Sequence, residues 1–138
     1  MSNQYKKTLE DYFIEIPNFE YKYYYLNEII ENDDDLKGLK VGYIDENKNG
    51  KKGTAFFVHG YPTWSYLWRH LIPIALRKDF RVISIDLPGF GKSDKPNKKS
   101  FFTFNNYRSI LLKLINVLKL EEITLILHEW GGTLGLTL

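Results

Sequence analysis

The sequence predicts an α/β fold: a mostly parallel sheet flanked by helices. Three short apolar runs, Thr54–Val58, Arg81–Ile85 and Ile123–Leu127, have the length and composition of strands buried on both faces. Segments with helical periodicity alternate with them, as parallel pairing requires. Each run leads straight into a loop rich in polar or glycine residues, at His59–Trp64, Asp86–Asp94 and His128–Gly132. Sheets of this kind place their chemistry in such loops, at the carboxyl ends of the strands.

Taken in order, the first twenty residues are polar with scattered aromatics and are expected to wrap the surface. Tyr21–Leu26, "YKYYYL", is rich in strand formers and starts the sheet. Asn32–Asp35 is read as a loop. Leu39–Asp45 alternates as a second strand should, and Asn49-Gly50 marks the turn after it. Beyond the Thr54–Val58 strand, Trp64, Leu67, Trp68, Leu71 and Ala75 share one helical face, interrupted by Pro73, which kinks or restarts the helix. Thr103 is placed to cap a helix whose inner face carries Ile110, Leu111, Leu114, Val117 and Leu118. After the last strand, Trp130–Leu138 opens another helix.

A length of 138 residues suits one domain, so residues 1–138 are read as a single unit. Hydrophobic residues at 43% and charged residues at 26% suit a packed core rather than a disordered chain. Nineteen basic and 17 acidic residues leave a net charge of +2, spread rather than clustered, which points away from nucleic acid. Lysine pairs such as Lys51-Lys52 and Lys98-Lys99 flank turns and are read as solvated. The absence of cysteine excludes disulfides, thiolate metal sites and a thiol nucleophile. No signal-peptide core and no bilayer-length apolar stretch occur, so the expected setting is cytoplasmic, without a membrane partner. No metal or cofactor constellation stands out.

Gly91-Lys92-Ser93 looks like the end of a phosphate-binding loop, but such a loop needs a glycine where Asp86 stands, which argues against ATP or GTP. His59 follows a strand directly and is read as held by backbone hydrogen bonds rather than as a base. The stretch "LHEWGG" (127–132) has the pattern of a sharp strand–turn–helix that exposes one side chain, Glu129, with glycines behind it for close packing. The amides of Tyr61 and Trp130 are placed to stabilise a developing oxyanion.

Together, "HGYPTWSYLWR", "DLPGFGKSDKP" and "ITLILHEWGGTLGLTL" resemble the α/β-hydrolase superfamily, and more narrowly haloalkane dehalogenases, with epoxide hydrolases as near relatives. The resemblance runs from about Tyr21 to Leu138. It implies a carboxylate nucleophile at the elbow, here Glu129, that attacks a halogen-bearing carbon to form an alkyl ester, which water then hydrolyses. It also implies an oxyanion hole from the backbone of Tyr61 and Trp130, halide or substrate contacts from Trp130 and Tyr61, and a small apolar organic substrate.

The sequence departs from the family pattern in several places. Glu129 replaces the usual aspartate and reaches one methylene further, a displacement of about 1 Å that can cost about a hundredfold in rate. Tyr61 stands where asparagine or glutamate is usual, and Leu127 where a small residue is usual. His59, His70 and His128 match no catalytic histidine of the family, and His128 is expected to point away from the site. The resemblance places the cap domain, later strands, triad acid and catalytic histidine beyond Leu138. On that basis the chain is expected to be the N-terminal part of a hydrolase core, inactive alone, with Ile123–Leu127 left as an aggregation-prone edge. The alternatives are an epoxide-hydrolase-like fragment, a non-catalytic binding protein, or half of a split protein completed by a C-terminal partner.

Overall fold

The computed structural model describes residues 5–6, 19–26 and 37–138. The readings of residues 1–18 as a surface wrap and of Asn32–Asp35 as a loop lie outside these residues, apart from a two-residue strand at Tyr5–Lys6. The described elements are β1 (Tyr5–Lys6), β2 (Tyr21–Tyr25), β3 (Lys40–Glu46), β4 (Thr54–Val58), α1 (Ile72–Arg77), β5 (Arg81–Ile85), β6 (Lys95–Pro96), α2 (Phe104–Leu118), β7 (Ile123–Leu127) and α3 (Trp130–Gly135).

Five strands form one sheet in the order β2-β3-β5-β4-β7, and β1 pairs with β6 in a separate two-stranded ladder. Strand β3 is antiparallel to both β2 and β5, while β4 is parallel to β5 and β7. Four strands therefore share one direction and β3 alone opposes them, which is the expected mostly parallel sheet. Among the described residues, no helix is long and apolar enough to cross a membrane.

The unbroken apolar run of β4 follows from its central position. Phe56 and Val58 pack on one face with Ile83, Ile85 and the buried α2 residues Ile110, Leu111 and Leu114. Ala55 and Phe57 point to the other face, against Val82, Trp68 and Ile72. Strand side chains alternate between faces, so burial on both sides leaves Thr54, at the start, as the strand's one polar side chain.

Helix α2 starts as expected, with the Thr103 side chain accepting a hydrogen bond from the Asn106 amide at 3.2 Å. Of the apolar residues read on it, Ile110, Leu111 and Leu114 are buried and Leu118 packs against the same core, whereas Val117 is 55% exposed. The single helical face read from Trp64 to Ala75 is divided into a 3-10 turn at Ser65–Trp68 and then α1, with Pro73 in its first turn. Proline is tolerated there because the first amides of a helix have no partner in it. The break leaves Leu71 between the two pieces, 43% exposed.

One ion pair ties the sheet together beneath the site. Arg81 at the start of β5 makes two hydrogen bonds of 3.0 Å to the carboxylate of Asp45 on β3 and one of 3.1 Å to the Leu118 carbonyl at the end of α2. The Asp45 side chain is 1% exposed, so its charge depends on this partner. Replacing Arg81 with Met should lower the unfolding free energy by about 3–5 kcal/mol, the usual cost of leaving a buried charge alone. Lys48 lies 3.6 Å from the same carboxylate with 62% of its side chain exposed, and Lys48→Met should cost less than about 1 kcal/mol. Urea unfolding of the two variants measures the contrast, and equal losses would refute it.

Candidate active site

Strands β4 and β7 run parallel with Val58 opposite Leu127, so their loops leave the sheet side by side. The approach is too close for side chains. A Cβ on Gly131 would lie 2.2 Å from the Val58 carbonyl oxygen, and one on Gly60 would lie 2.5 Å from the His128 carbonyl oxygen. Gly135 is likewise filled from outside: Leu127 occupies its space, with Cδ2 2.5 Å from where a Cβ would stand. That contact accommodates the large residue that the sequence sets before the elbow. Gly132 departs from the expected packing role, since a Cβ there would meet nothing within 4 Å.

Glu129 caps α3 at the tip of this turn with φ 50° and ψ −117°. A non-glycine residue held at such a φ costs about 1–3 kcal/mol and persists only where its surroundings impose it. A strained strand-to-helix tip of this kind presents its side chain above the sheet. The Glu129 carboxylate folds back so that Oε2 accepts from the Tyr61 amide at 2.8 Å and from its neighbour, the Trp130 amide. The longer side chain thus stays within reach of both amides. Their hydrogen bonds, that of Tyr61 first, hold the carboxyl below its ordinary pKa, with a smaller contribution from His128. Exposed and anionic, it has the state a nucleophile needs.

The histidines are engaged elsewhere. His59 is fully buried, with Nε2 accepting from the Leu87 amide and Nδ1 donating to the Gly60 carbonyl, both at 2.9 Å. Burial lowers its pKa and keeps it neutral, so the sequence reading of a backbone-held residue holds. His128 packs edge-on against Trp68, away from Glu129, with ring centroids 6.4 Å apart. His70 is exposed.

Tyr61, Glu129 and Trp130 line one cleft of about 540 Å³ together with Gly89, Phe90, Lys95, Phe102 and Tyr107. Tyr61 meets Phe90 edge-to-face at 5.1 Å, and Trp130 meets Phe104 in the same way at 6.4 Å. Tyr107 donates to the Pro88 carbonyl at 2.8 Å, and burial pushes its hydroxyl far above the ordinary value. The sequence brings out Tyr61, Glu129 and Trp130 but not Phe90, Lys95, Phe102 or Tyr107. An aromatic cluster straddling the start of α2 was a visible signal for two of these, Phe102 and Tyr107, whereas nothing local marks Phe90 or Lys95. Among the described residues, no three His, Asp or Glu side chains are grouped to hold a metal ion.

The α/β-hydrolase fold family model matches residues 56–138. A haloalkane dehalogenase of Psychrobacter cryohalolentis is 35% identical over 132 residues, which span 96% of this chain and 42% of that protein. A haloalkane dehalogenase of Mycobacterium marinum is 37% identical over 102 residues, 74% of this chain and 34% of that protein. Among solved structures, the tetrameric haloalkane dehalogenase DpaA of Paraglaciecola agarilytica superposes with a TM-score of 0.81 at 36% identity, covering 97% of this chain and 44% of that one. The epoxide hydrolase VrEH1 of Vigna radiata gives a TM-score of 0.70 at 25% identity over 88% of this chain and 35% of that one. The chain spans less than half the length of these relatives.

The two adjacent glycines of the elbow should respond in opposite ways. Gly131→Ala forces α3 off the β4 backbone and should cost about 3 kcal/mol or more. Gly132→Ala adds a methyl in open space within a helix and should be neutral or stabilising by up to about 1 kcal/mol. Thermal and urea unfolding check both, and a tolerated Gly131→Ala would show that the approach is looser than described.

Proposed function

The chain belongs to the α/β-hydrolase fold family, and on that premise we propose that Glu129 is the nucleophile of a haloalkane-dehalogenase-type reaction. One observation carries the reading: a single carboxylate oxygen accepts hydrogen bonds from both the Tyr61 and Trp130 amides. Oε1 attacks the halogen-bearing carbon, and the carbon–halogen bond breaks with its electron pair leaving on the halide. The ester carbonyl oxygen is then Oε2, already between the two amides. When water adds to the ester carbon, negative charge develops on that same oxygen, where the donors need no rearrangement. The Trp130 indole, in the cleft wall, is the candidate donor to the departing halide.

The second step needs a base to take a proton from water. Among the described residues, none of His59, His70 and His128 lines the cleft, and His59 and His128 have other contacts. The first step is therefore the one that these residues can complete by themselves.

A second reading is favoured by Tyr61, whose phenol lines the cleft beside Glu129. Attack on an epoxide carbon would break the ring carbon–oxygen bond, and the phenol would donate its proton to the resulting alkoxide. Supplying a bromoalkane and a terminal epoxide in parallel distinguishes the two.

With a primary bromoalkane, halide release should be stoichiometric with protein, and intact-mass spectrometry should find one alkyl adduct on Glu129. Glu129→Gln should abolish both signals. Glu129→Asp should retain the adduct with a rate altered by up to about a hundredfold, as reach changes by about 1 Å. Because the amides depress the Glu129 pKa, the rate should be flat near neutrality and fall only below the ordinary carboxyl value of 4.5. If Glu129 and Glu129→Asp proteins are equally inert with the fold intact, the reading fails.

A further inference from the structure

The cleft beside Glu129 sets one carboxylate among aromatic rings. Tyr61, Phe90, Phe102, Tyr107 and Trp130 line it, and Glu129 is the one acid among the described lining residues. The rings stand at steep angles to one another, Tyr61 to Phe90 at 83° and Phe102 to Tyr107 at 47°. In an edge-to-face pair, the ring that offers its edge keeps both faces uncovered by its partner. Those faces carry the negative side of the aromatic quadrupole and attract a cation placed over them.

The lining has one cation of its own, Lys95, and that charge is met within its own loop. The ammonium donates to the carbonyl oxygens of Gly91 and Ser93, both at 2.6 Å. Burial lowers its pKa to about 8, against the attraction of the Asp86 and Asp94 carboxylates. Glu129 answers to other groups: the Tyr61 and Trp130 amides hold its carboxyl below the ordinary pKa, and His128 adds least. Among the described residues, no lysine or arginine forms an ion pair with it. A ligand that fills the cleft takes water away from this carboxylate. An apolar chain returns nothing, whereas a cation supplies a counter-charge where attraction exceeds that in bulk water. A quaternary ammonium suits both parts of the wall, because its methyl groups pack as apolar surface while its charge lies against ring faces.

We propose that the cleft binds a quaternary ammonium group, held by the aromatic rings and the charge of Glu129, and that the substrate is a short alkyl halide bearing that group rather than a wholly apolar one. With the ammonium against the rings, the halogen-bearing carbon is drawn towards Oε1 by the same charge that attacks it. The carbon–oxygen bond forms as the halide leaves with the bonding pair. The reactive half of this assignment rests on the Glu129 reading given above; the cation site does not.

The test uses ligands without a halide. Choline and neohexyl alcohol, its neutral isostere with carbon in place of nitrogen, share a shape and differ in charge, and NMR titration gives their affinities for the whole chain. Choline should bind about tenfold tighter, within the range of a partly desolvated cation–π contact. Glu129→Gln and Phe102→Leu should each cut that preference by at least about threefold, whereas a loss of packing alone would weaken both ligands equally. Phe102 is 45% exposed, so its ring is not part of the buried core. Equal affinities in the unmodified protein, which needs no variant to fold, would overturn the cation site whatever the reaction. A preference that survives both substitutions would put the cation outside the cleft and overturn it too. If choline is preferred but bromoethyl-trimethylammonium fails, with every simple bromoalkane, to alkylate Glu129, the reaction is overturned and the cation site stands.

Discussion

The candidate site depends on a backbone approach that has no room for side chains. Gly60 and Gly131 let the loops after β4 and β7 touch, with the Gly131 position against the Val58 carbonyl. Because Val58 and Leu127 are in parallel register, the amides of Tyr61 and Trp130 emerge from adjacent strands about 4.8 Å apart. That spacing is short enough for two donors to meet on one oxygen. A methyl group at residue 131 would move α3, and the Trp130 amide with it. Strand register thus sets where the two amides meet, and the elbow brings the Glu129 carboxylate oxygen between them.

A buried polar frame joins the loops around these amides. Asp86 accepts from Ser65 in the loop after β4 and from Lys92 in the loop after β5. Ser93 accepts from the Gly42 amide of β3 and donates to the Asp86 carbonyl, while His59 reaches from the end of β4 to the Leu87 amide. Buried polar groups are stable when they are paired in this way, and such a network fixes loop positions more sharply than apolar contacts do. Burial pushes the Asp86 carboxyl up, and the hydrogen bonds from Ser65 and Lys92 work against that push. His59 stays neutral for the same reason, which keeps Nε2 an acceptor. The conspicuous histidine next to the elbow is part of the frame rather than a proton carrier.

What the sequence discloses follows from which signals are local. The bounds of β4, β5 and β7 are legible to the residue, because runs of apolar side chains between glycine or charged residues have few other readings. Thr103 is equally plain, since a cap needs only its own helix. In the segment from Trp64 to Ala75 the restart at Pro73 is legible, and what the apolar periodicity does not show is that the piece before it is a 3-10 turn. Val117 fits the period but faces solvent, although Leu118 beyond it still packs against the core. The site divides along the same line. Glu129 and Trp130 stand out through one short motif, whereas Lys95 enters the cleft only because β6 and its preceding loop fold back over the strand ends. No local pattern shows that the Glu129 carboxylate turns back onto its own helix amide.

The elbow strand is also an edge of the described sheet, with β4 on one side and no described partner on the other. Its residues are at most half-buried, unlike those of β4, and an apolar edge of this kind is a template for further pairing. The elbow does not draw its geometry from that open side. Helix α3 rests on β4 through Gly131, and the Arg108 guanidinium of α2 binds the Thr137 carbonyl just past α3 at 2.8 and 3.1 Å. Glu129 is therefore held from the inner side, by β4 and α2, both within the described fold. Pairing on the outer edge of β7 would protect the strand and stiffen its far end. The convergence of the two amides on one carboxylate oxygen is already specified without it.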